Sequence, residues 1–130
     1  MLFTLILIID KKKENILMCV RNKEPFKGLY NGLGGKIEKG ESVLLSAYRE
    51  LFEESGISKK DTKLTQYCEI KWKNDKVVVF FGKLNKQVKL IEEVNKLVWL
   101  NIKKTDVSSE KFAGNGNLFW LIKECIKTIK

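Results

Sequence analysis

The chain contains no histidine among its 130 residues. This absence excludes a Ser-His or Cys-His catalytic pair and a histidine metal site. Any general base is therefore a carboxylate, a lysine, a tyrosine or a metal-bound hydroxide. The three cysteines, Cys19, Cys68 and Cys125, form no CxxC pair, so neither a zinc site nor a disulfide framework is expected. Reduced thiols in a cytoplasmic protein are the better interpretation.

Long apolar runs are also missing. The run at residues 2–9 is far too short to span a bilayer. No basic segment precedes it and no A-x-A-like cleavage site follows it, so a signal peptide is not expected. We interpret this run as a buried first strand and expect no membrane partner.

The composition suits one folded domain spanning residues 1–130. Apolar residues make up 44% of the chain, which is enough to bury a core. The net charge of +9 comes from 25 Lys and Arg against 16 Asp and Glu, and it favours anionic partners. A monomer or a weak homodimer is expected.

Apolar periodicity and turn residues predict strands first, then a helix, more strands and a last helix. Ser42 is a suitable N-cap and Gly56 a suitable C′ residue for the first helix. This order predicts an α/β fold with layers around a mixed sheet. The predicted strands cover residues 2–9, 15–21, 63–73, 76–84 and 96–101, and the predicted helices cover about 43–55 and 118–129.

The most informative stretch is residues 35–57, which carries four carboxylates and an arginine on a loop and the first helix. At about 100° per residue, Glu50, Glu53 and Glu54 share one helix face. Like charges this close repel one another, and Mg²⁺ or Mn²⁺ would resolve the repulsion with hard oxygen ligands. Arg49 lies four residues before Glu53 and is expected to orient it. The opposite face is predicted to dock on the sheet through Leu44, Leu45, Tyr48, Leu51 and Phe52.

The register of this stretch matches the signature box of the Nudix hydrolases, and the whole chain resembles that family. The matching positions are Gly35, Glu41, Arg49, Glu50, Leu51, Glu53, Glu54, Gly56 and Ile57. The resemblance implies a Nudix-type α/β/α sandwich and metal-dependent attack of water on a nucleoside diphosphate derivative. It also implies that the Gly34 carbonyl and the three helix glutamates bind Mg²⁺, with Mn²⁺ as an alternative. The general base is one of these glutamates or a carboxylate outside the box, and Glu41 either bonds the loop or reaches the metal.

Beyond the box, the chain resembles the MutT-like branch, which hydrolyses oxidised purine nucleoside triphosphates. That resemblance rests on residues 4–8, on the run from Tyr30 to Lys36 and on the late Trp-Leu strand. It implies that Asn31 reads the purine edge, with Asn115 or, as second choice, Asn117. It also implies a phosphate contact from Arg21, with Lys23 as a substitute, and a late carboxylate at Glu93 or its neighbour Glu92.

The remaining expectations concern the loops and the aromatic residues. Lys36 directly follows the glycines and is placed to contact a phosphate oxygen. Phe26, Phe112 and Trp120 are candidates to wall a base pocket, although core packing is the preferred role of Trp99 and Trp120. Where some relatives carry a tryptophan in the last loop, this chain has Phe112-Ala113.

The leading hypothesis is an enzyme that converts 8-oxo-dGTP to 8-oxo-dGMP and pyrophosphate. The alternatives are hydrolysis of another nucleoside diphosphate derivative, such as ADP-ribose or an RNA 5′ end, and a non-catalytic nucleotide-binding domain. The short chain argues mildly against ADP-ribose, and the positive charge keeps RNA in consideration.

Overall fold

The computed structural model describes residues 1–24, 26–92, 94–103, 109–113 and 117–128. These residues form six strands, a short 3-10 turn (Ser109–Lys111) and two α-helices. The strands are β1 (Leu2–Ile9), β2 (Asn15–Val20), β3 (Tyr30–Asn31), β4 (Thr65–Trp72), β5 (Asp75–Lys83) and β6 (Lys96–Asn101), and the helices are α1 (Val43–Ser55) and α2 (Asn117–Thr128). The predicted elements are confirmed to within two residues at their ends, and within the described residues the short β3 and the 3-10 turn were not predicted.

Helix α1 begins and ends at the predicted capping residues. The Leu45 N–H donates to Ser42 Oγ at 3.3 Å, which satisfies one of the free amide groups of the first turn. At the other end Gly56 adopts a left-handed conformation with φ of 80°, and its N–H donates to the Phe52 carbonyl. Glycine adopts this conformation without steric cost, so the helix stops there.

The strands form one mixed sheet in the order β3-β2-β1-β5-β4, with β6 on the other edge of β2. β1 runs parallel to β5 along its whole length, while the other pairs are antiparallel. β1 and β2 pair only through Ile8–Leu17 and Ile9–Ile16 and then separate. The segment from Tyr30 to Lys36 enters between them and pairs with both.

Two apolar layers cover the two faces of the sheet. Successive residues of β1 alternate between them, as expected of a strand that is buried on both sides. Ile6 and Ile8 pack in the layer under α1, and Leu7 and Ile9 pack in the layer under α2. Helix α2 contributes Leu118, Leu121, Ile122 and Cys125, all buried as predicted. The arrangement is the expected α/β/α sandwich.

The predicted docking face of α1 was wrong for three of its five residues. Leu44, Leu45 and Phe52 are 44%, 55% and 57% exposed. The helix instead packs through smaller side chains, and its buried residues are Ser46, Ala47, Leu51 and Ser55. Small residues let the helix approach the sheet closely. The carboxylates therefore lie at the border of the buried face and not on the side opposite to it.

The predicted core positions of Trp99 and Trp120 were also wrong, since these side chains are 37% and 58% exposed. Trp120 lies outside the buried face of α2, and Trp99 is on the outer strand β6. Ile129, the last residue of the predicted second helix, lies outside the described residues. Neither of the two described helices is long and apolar enough to cross a membrane.

Candidate active site

The glycine loop, residues 32–36, is held directly against the central strand β1. The Ile6 and Leu33 backbones exchange two hydrogen bonds, and the Thr4 N–H donates to the Gly35 carbonyl at 2.8 Å. Gly34 has φ of +138°, and a Cβ there would lie 2.1 Å from the Thr4 carbonyl oxygen. A Cβ on Gly35 would lie 2.7 Å from the Glu50 carboxylate. Glycine at both positions therefore lets the loop fit between the strand and the helix.

Arg49 organises three carboxylates around one guanidinium. Its Nε and Nη2 donate to the two oxygens of Glu41 at 2.6 and 3.0 Å. Its Nη1 donates to Glu50 Oε1 at 3.2 Å and to Glu53 Oε2 at 3.1 Å. The hydrogen bonds from Arg49 are the main cause that lowers the pKa of Glu41 to about 2. The predicted Arg49–Glu53 pair is present, and the two-nitrogen contact with Glu41 is the stronger one.

Glu54 is the carboxylate that lies deepest in the site. Its Oε2 accepts a hydrogen bond from the Gly34 N–H at 2.8 Å. Burial raises the pKa of Glu54 to about 7, against the lowering effect of that hydrogen bond, and the charges of Glu50 and Glu53 raise it further. Burial is also the main cause that raises the pKa of Glu50, where Arg49 opposes it. The buried positions of Glu50 and Glu54 thus disfavour the ionised form of both carboxylates.

This donor set fits a hard divalent cation. Four carboxylates lie close together at one corner of the site, which we call the acidic corner: Glu41, Glu50, Glu53 and Glu54. Arg49 compensates one unit of their negative charge. Carboxylate oxygens and backbone carbonyls are the ligands that Mg²⁺ prefers. Within the described residues no three acidic or cysteine side chains are arranged to hold a metal as they stand. Glu50 and Glu53 are directed toward Arg49, and Glu54 is directed toward the glycine loop. The three carboxylates therefore share a helix face, but their oxygens do not converge on one position.

A cavity of about 370 Å³ opens beside the glycine loop. This is within the size range of small-molecule sites. One wall contains Arg21, Phe26, Asn31 and the loop glycines, and the other is apolar and comes from β1, β4, β5 and α2. The fold therefore places an apolar slot directly beside the acidic corner.

Asn31 lines this cavity. Its Oδ1 accepts from the Gly32 N–H at 3.0 Å, which fixes the amide against its own loop. Its NH₂ group makes no hydrogen bond to the residues that the structure describes. Phe26 also borders the cavity, and its φ of 68° is unusual for a bulky residue. The loop that holds it is closed by Gly28 N–H donating to the Arg21 carbonyl.

The other predicted site residues fall into three groups. Lys23 and Lys36 are exposed, near the loops that border the cavity. Glu93 and Asn115 lie outside the described residues, as does the side chain of Asn117 at the start of α2. Phe112 is buried with its ring 5.6 Å from that of Tyr30, and neither Phe112 nor Trp120 lines this cavity.

Sequence reasoning did not identify Thr4 as part of the site. Its Oγ1 accepts from the Gly35 N–H at 3.2 Å and lies 3.3 Å from the Gly35 carbonyl. This hydroxyl fixes the glycine loop on the central strand. No local signal could have revealed the contact, because it joins residues that are 31 positions apart.

Comparison with known proteins concerns the family and the fold. Residues 3–118 match the model of the NUDIX domain. The oxidized purine nucleoside triphosphate hydrolase of Mus musculus is 39% identical over 57 residues, which cover 44% of this chain and only 35% of that protein. The NUDIX domain of Shewanella oneidensis NrtR, solved with ADP ribose, has a TM-score of 0.77 at 17% identity, covering 100% of this chain and 88% of that one. A MutT structure from work on Aliivibrio salmonicida and Vibrio cholerae has a TM-score of 0.71 at 19% identity, covering 98% and 97%. At these identities the solved structures establish the fold.

Proposed function

This chain belongs to the Nudix hydrolase family, and we propose that it is a cytoplasmic, Mg²⁺-dependent pyrophosphohydrolase of oxidised purine nucleoside triphosphates. Its reaction would convert 8-oxo-dGTP and water to 8-oxo-dGMP and pyrophosphate, an activity that protects DNA from oxidised precursors. The observation that carries the proposal is the joining of the acidic corner to a cavity that contains Asn31. The three free thiols favour a reducing compartment.

Each part of the site has a role in this reaction. Glu50, Glu53, Glu54 and the Gly34 carbonyl would hold Mg²⁺, and Glu93 is a further proposed ligand or base. When bound, the ion neutralises phosphate charge and lowers the pKa of a bound water. Arg49 orients the carboxylates through its fixed fork of donors.

The cationic side chains bind and orient the substrate. Arg21 lines the cavity beside the loop and is proposed to bind a phosphate group, with Lys23 in support. Lys36 follows the glycines and would contact a phosphate oxygen. Holding the diphosphate in line between these cations and the carboxylates supplies most of the catalysis that the protein itself provides.

Base recognition is assigned to the donor that Asn31 presents. An amide NH₂ donates to a carbonyl of a purine edge, and the oxidised base has an additional carbonyl at C8. The apolar walls of the cavity suit a planar ring. Asn115 is proposed as a second contact, with Asn117 as the alternative.

Product analysis tests the reaction and the substrate together. The protein is incubated with Mg²⁺ and, in separate tubes, 8-oxo-dGTP, dGTP, ADP-ribose and a 5′-triphosphate RNA, and the products are separated by anion exchange. We expect rapid formation of the monophosphate and pyrophosphate from 8-oxo-dGTP and much slower turnover of dGTP. Turnover of another substrate with 8-oxo-dGTP untouched would refute the substrate assignment.

Substitution of the metal-site glutamates separates an enzyme from a nucleotide-binding domain. Glu53→Gln and Glu54→Gln should abolish turnover while nucleotide binding is retained. Glu69→Gln, on β4, is a control that removes an exposed carboxylate outside the acidic corner. A wild type that binds nucleotide but turns over none of the four substrates would contradict the enzyme proposal.

The role of Asn31 is tested by a substitution that keeps its loop contact. Asn31→Asp retains an oxygen for the Gly32 N–H and loses the NH₂ donor. We expect kcat/KM to fall for 8-oxo-dGTP more than for dGTP, by about 10-fold or more for one lost hydrogen bond to a buried partner. An equal fall for both nucleotides would mean that Asn31 does not select the base.

The net charge of +9 favours an RNA 5′ end as second candidate substrate. Binding of RNA through several phosphates would weaken steeply as salt increases. Measuring the affinity for the triphosphate RNA across a range of KCl concentrations distinguishes the two substrates. A mononucleotide should give the shallower slope.

A further inference from the structure

Ser46 has a buried hydroxyl for which the part of the chain that the structure describes supplies no hydrogen bond of adequate geometry. The residue is 0% exposed, and its Oγ has no partner among those residues. Buried polar side chains nearly always have a partner, and an exception calls for an explanation, such as a functional role or a bound ion or water. A second buried serine of the same helix shows the normal case, because Ser55 Oγ donates to the Leu51 carbonyl at 2.6 Å and accepts from the Ile57 N–H at 3.2 Å.

Ser46 occupies a helix position next to the acidic corner. It lies one helical turn before Glu50, and helical side chains lean toward the N-terminus, so Glu50 reaches back over Ser46. Ser46 is also close to Glu41: a weak interaction of its hydroxyl with the Glu41 carboxylate helps to lower the pKa of Glu41, less than the hydrogen bonds from Arg49 do. No hydrogen bond of adequate geometry joins Ser46 to Glu41, and Glu41 is already held by two Arg49 nitrogens.

Glu50 contacts Arg49 through one hydrogen bond. Its Oε1 is 3.2 Å from Arg49 Nη1, the longest of the four contacts that Arg49 makes in the corner. The Nη1 group is also shared with Glu53. A divalent cation would draw Glu50 away from Arg49, and its second oxygen would then need a donor. Carboxylates that bind metals are themselves usually hydrogen-bonded by a neighbouring group.

We propose that Ser46 is a positioning residue whose hydroxyl donates to the Glu50 carboxylate when Glu50 turns from Arg49 to a divalent cation. This inference rests on the proposed function, since it requires the cation site. It gives the fully buried hydroxyl a hydrogen-bond partner, the Glu50 carboxylate, once that carboxylate turns toward the ion. It also assigns to α1 a donor that the family box does not specify, because position 46 lies among its variable residues.

Mn²⁺ binding to the full chain, measured by the EPR signal of free Mn²⁺, tests the proposal. Ser46→Ala should raise the Mn²⁺ dissociation constant about 10- to 100-fold, the usual effect of losing a group that supports a metal ligand. In EDTA the same variant should be at least as stable to urea as the wild type, because it removes a buried polar group without a partner.

Ser55→Ala is the matched control, since it alters an equally buried serine of the same helix. It should lower the stability in EDTA, through the loss of two hydrogen bonds, and leave the Mn²⁺ dissociation constant of the folded protein unchanged. These opposite patterns separate support of the ion from support of the fold.

Three outcomes would overturn the inference. The first is an unchanged Mn²⁺ dissociation constant in Ser46→Ala. The second is a loss of stability in EDTA as large as that of Ser55→Ala, which would mean that Ser46 is already bonded. The third is an equally large effect of Ser46→Ala in a Glu50→Gln background, which would exclude Glu50 as acceptor. If the wild type binds no Mn²⁺, the proposed function itself fails, whereas normal binding by the wild type and by Ser46→Ala refutes the positioning role alone.

Discussion

Glu54→Gln should stabilise the metal-free protein at neutral and higher pH. Burial of Glu54 raises its pKa from 4.5 to about 7, so folding disfavours the charged form. Glutamine has nearly the same shape, carries no charge and keeps an oxygen for the Gly34 N–H. The substitution therefore removes the cost of a buried charge and retains the contact with the loop.

The size and the sign of the effect follow from the two pKa values. At 1.36 kcal/mol for each unit of pKa, the difference between 4.5 and about 7 corresponds to about 3 kcal/mol. Below pH 4.5 both the folded and the unfolded chain bind the proton, so Glu54 has no effect. Between pH 4.5 and about 7 the folded state binds more protons, so wild-type stability falls as the pH rises. Above pH 7 the full cost is present.

Urea unfolding in EDTA measures this difference. We expect Glu54→Gln to exceed the wild type in free energy of unfolding by less than about 1 kcal/mol at pH 5 and by about 3 kcal/mol at pH 8. Glu53→Gln is the control: Glu53 is 54% exposed, so its replacement should change the free energy by about 0.5 kcal/mol or less. If Glu54→Gln is no more stable than the wild type at pH 8, burial does not disfavour the Glu54 charge and the reasoning fails.

Three further predictions concern the helix face, the glycine loop and the arginine. In urea unfolding, Leu51→Ala should lower the free energy of unfolding by about 2–5 kcal/mol and Phe52→Ser by at most about 0.5 kcal/mol, because Leu51 is buried and Phe52 is exposed. Similar losses in the two variants would mean that Phe52 packs on the sheet after all. Gly34→Ala should abolish cooperative thermal unfolding or lower its midpoint far more than Gly28→Ala does. Both glycines have positive φ, but only at Gly34 would the added Cβ meet backbone atoms, those of Thr4 and Leu5. Equal losses would contradict the close approach of Gly34 to β1. Arg49→Lys should weaken Mg²⁺-dependent turnover at least 10-fold, because a lysine cannot reproduce the two-nitrogen contact; full activity would mean that a point charge suffices.

Local sequence signals predicted the elements well where capping residues mark their ends. Ser42 and Gly56 determine the bounds of α1, and the strands with β-branched residues were found at nearly their observed ends. The shared face of Glu50, Glu53 and Glu54 also followed from helical spacing. These features depend on neighbours within a few residues, which is the range over which such signals act.

The errors came from long-range packing. Periodicity places apolar residues inward, but α1 packs through Ser46 and Ala47 because the close approach to the sheet leaves little space. Phe52 is therefore exposed. The two-residue β3 was missed because its pairing with β2 involves residues 10 and 12 positions apart. The contact between Thr4 and Gly35 depends in the same way on the assembled sheet.

The insertion of residues 30–36 between β1 and β2 has a consequence for hydrogen exchange. The Leu33 amide donates to Ile6 on the buried central strand, and the Gly35 amide bonds to Thr4 of the same strand. The Leu33 amide cannot open without separating the strand from the loop. It should therefore exchange with deuterium only when the whole sheet unfolds, at the rate of Ile6 itself. The backbone beside the cavity is thus already ordered before a ligand arrives, so binding need not supply the entropy of ordering that loop.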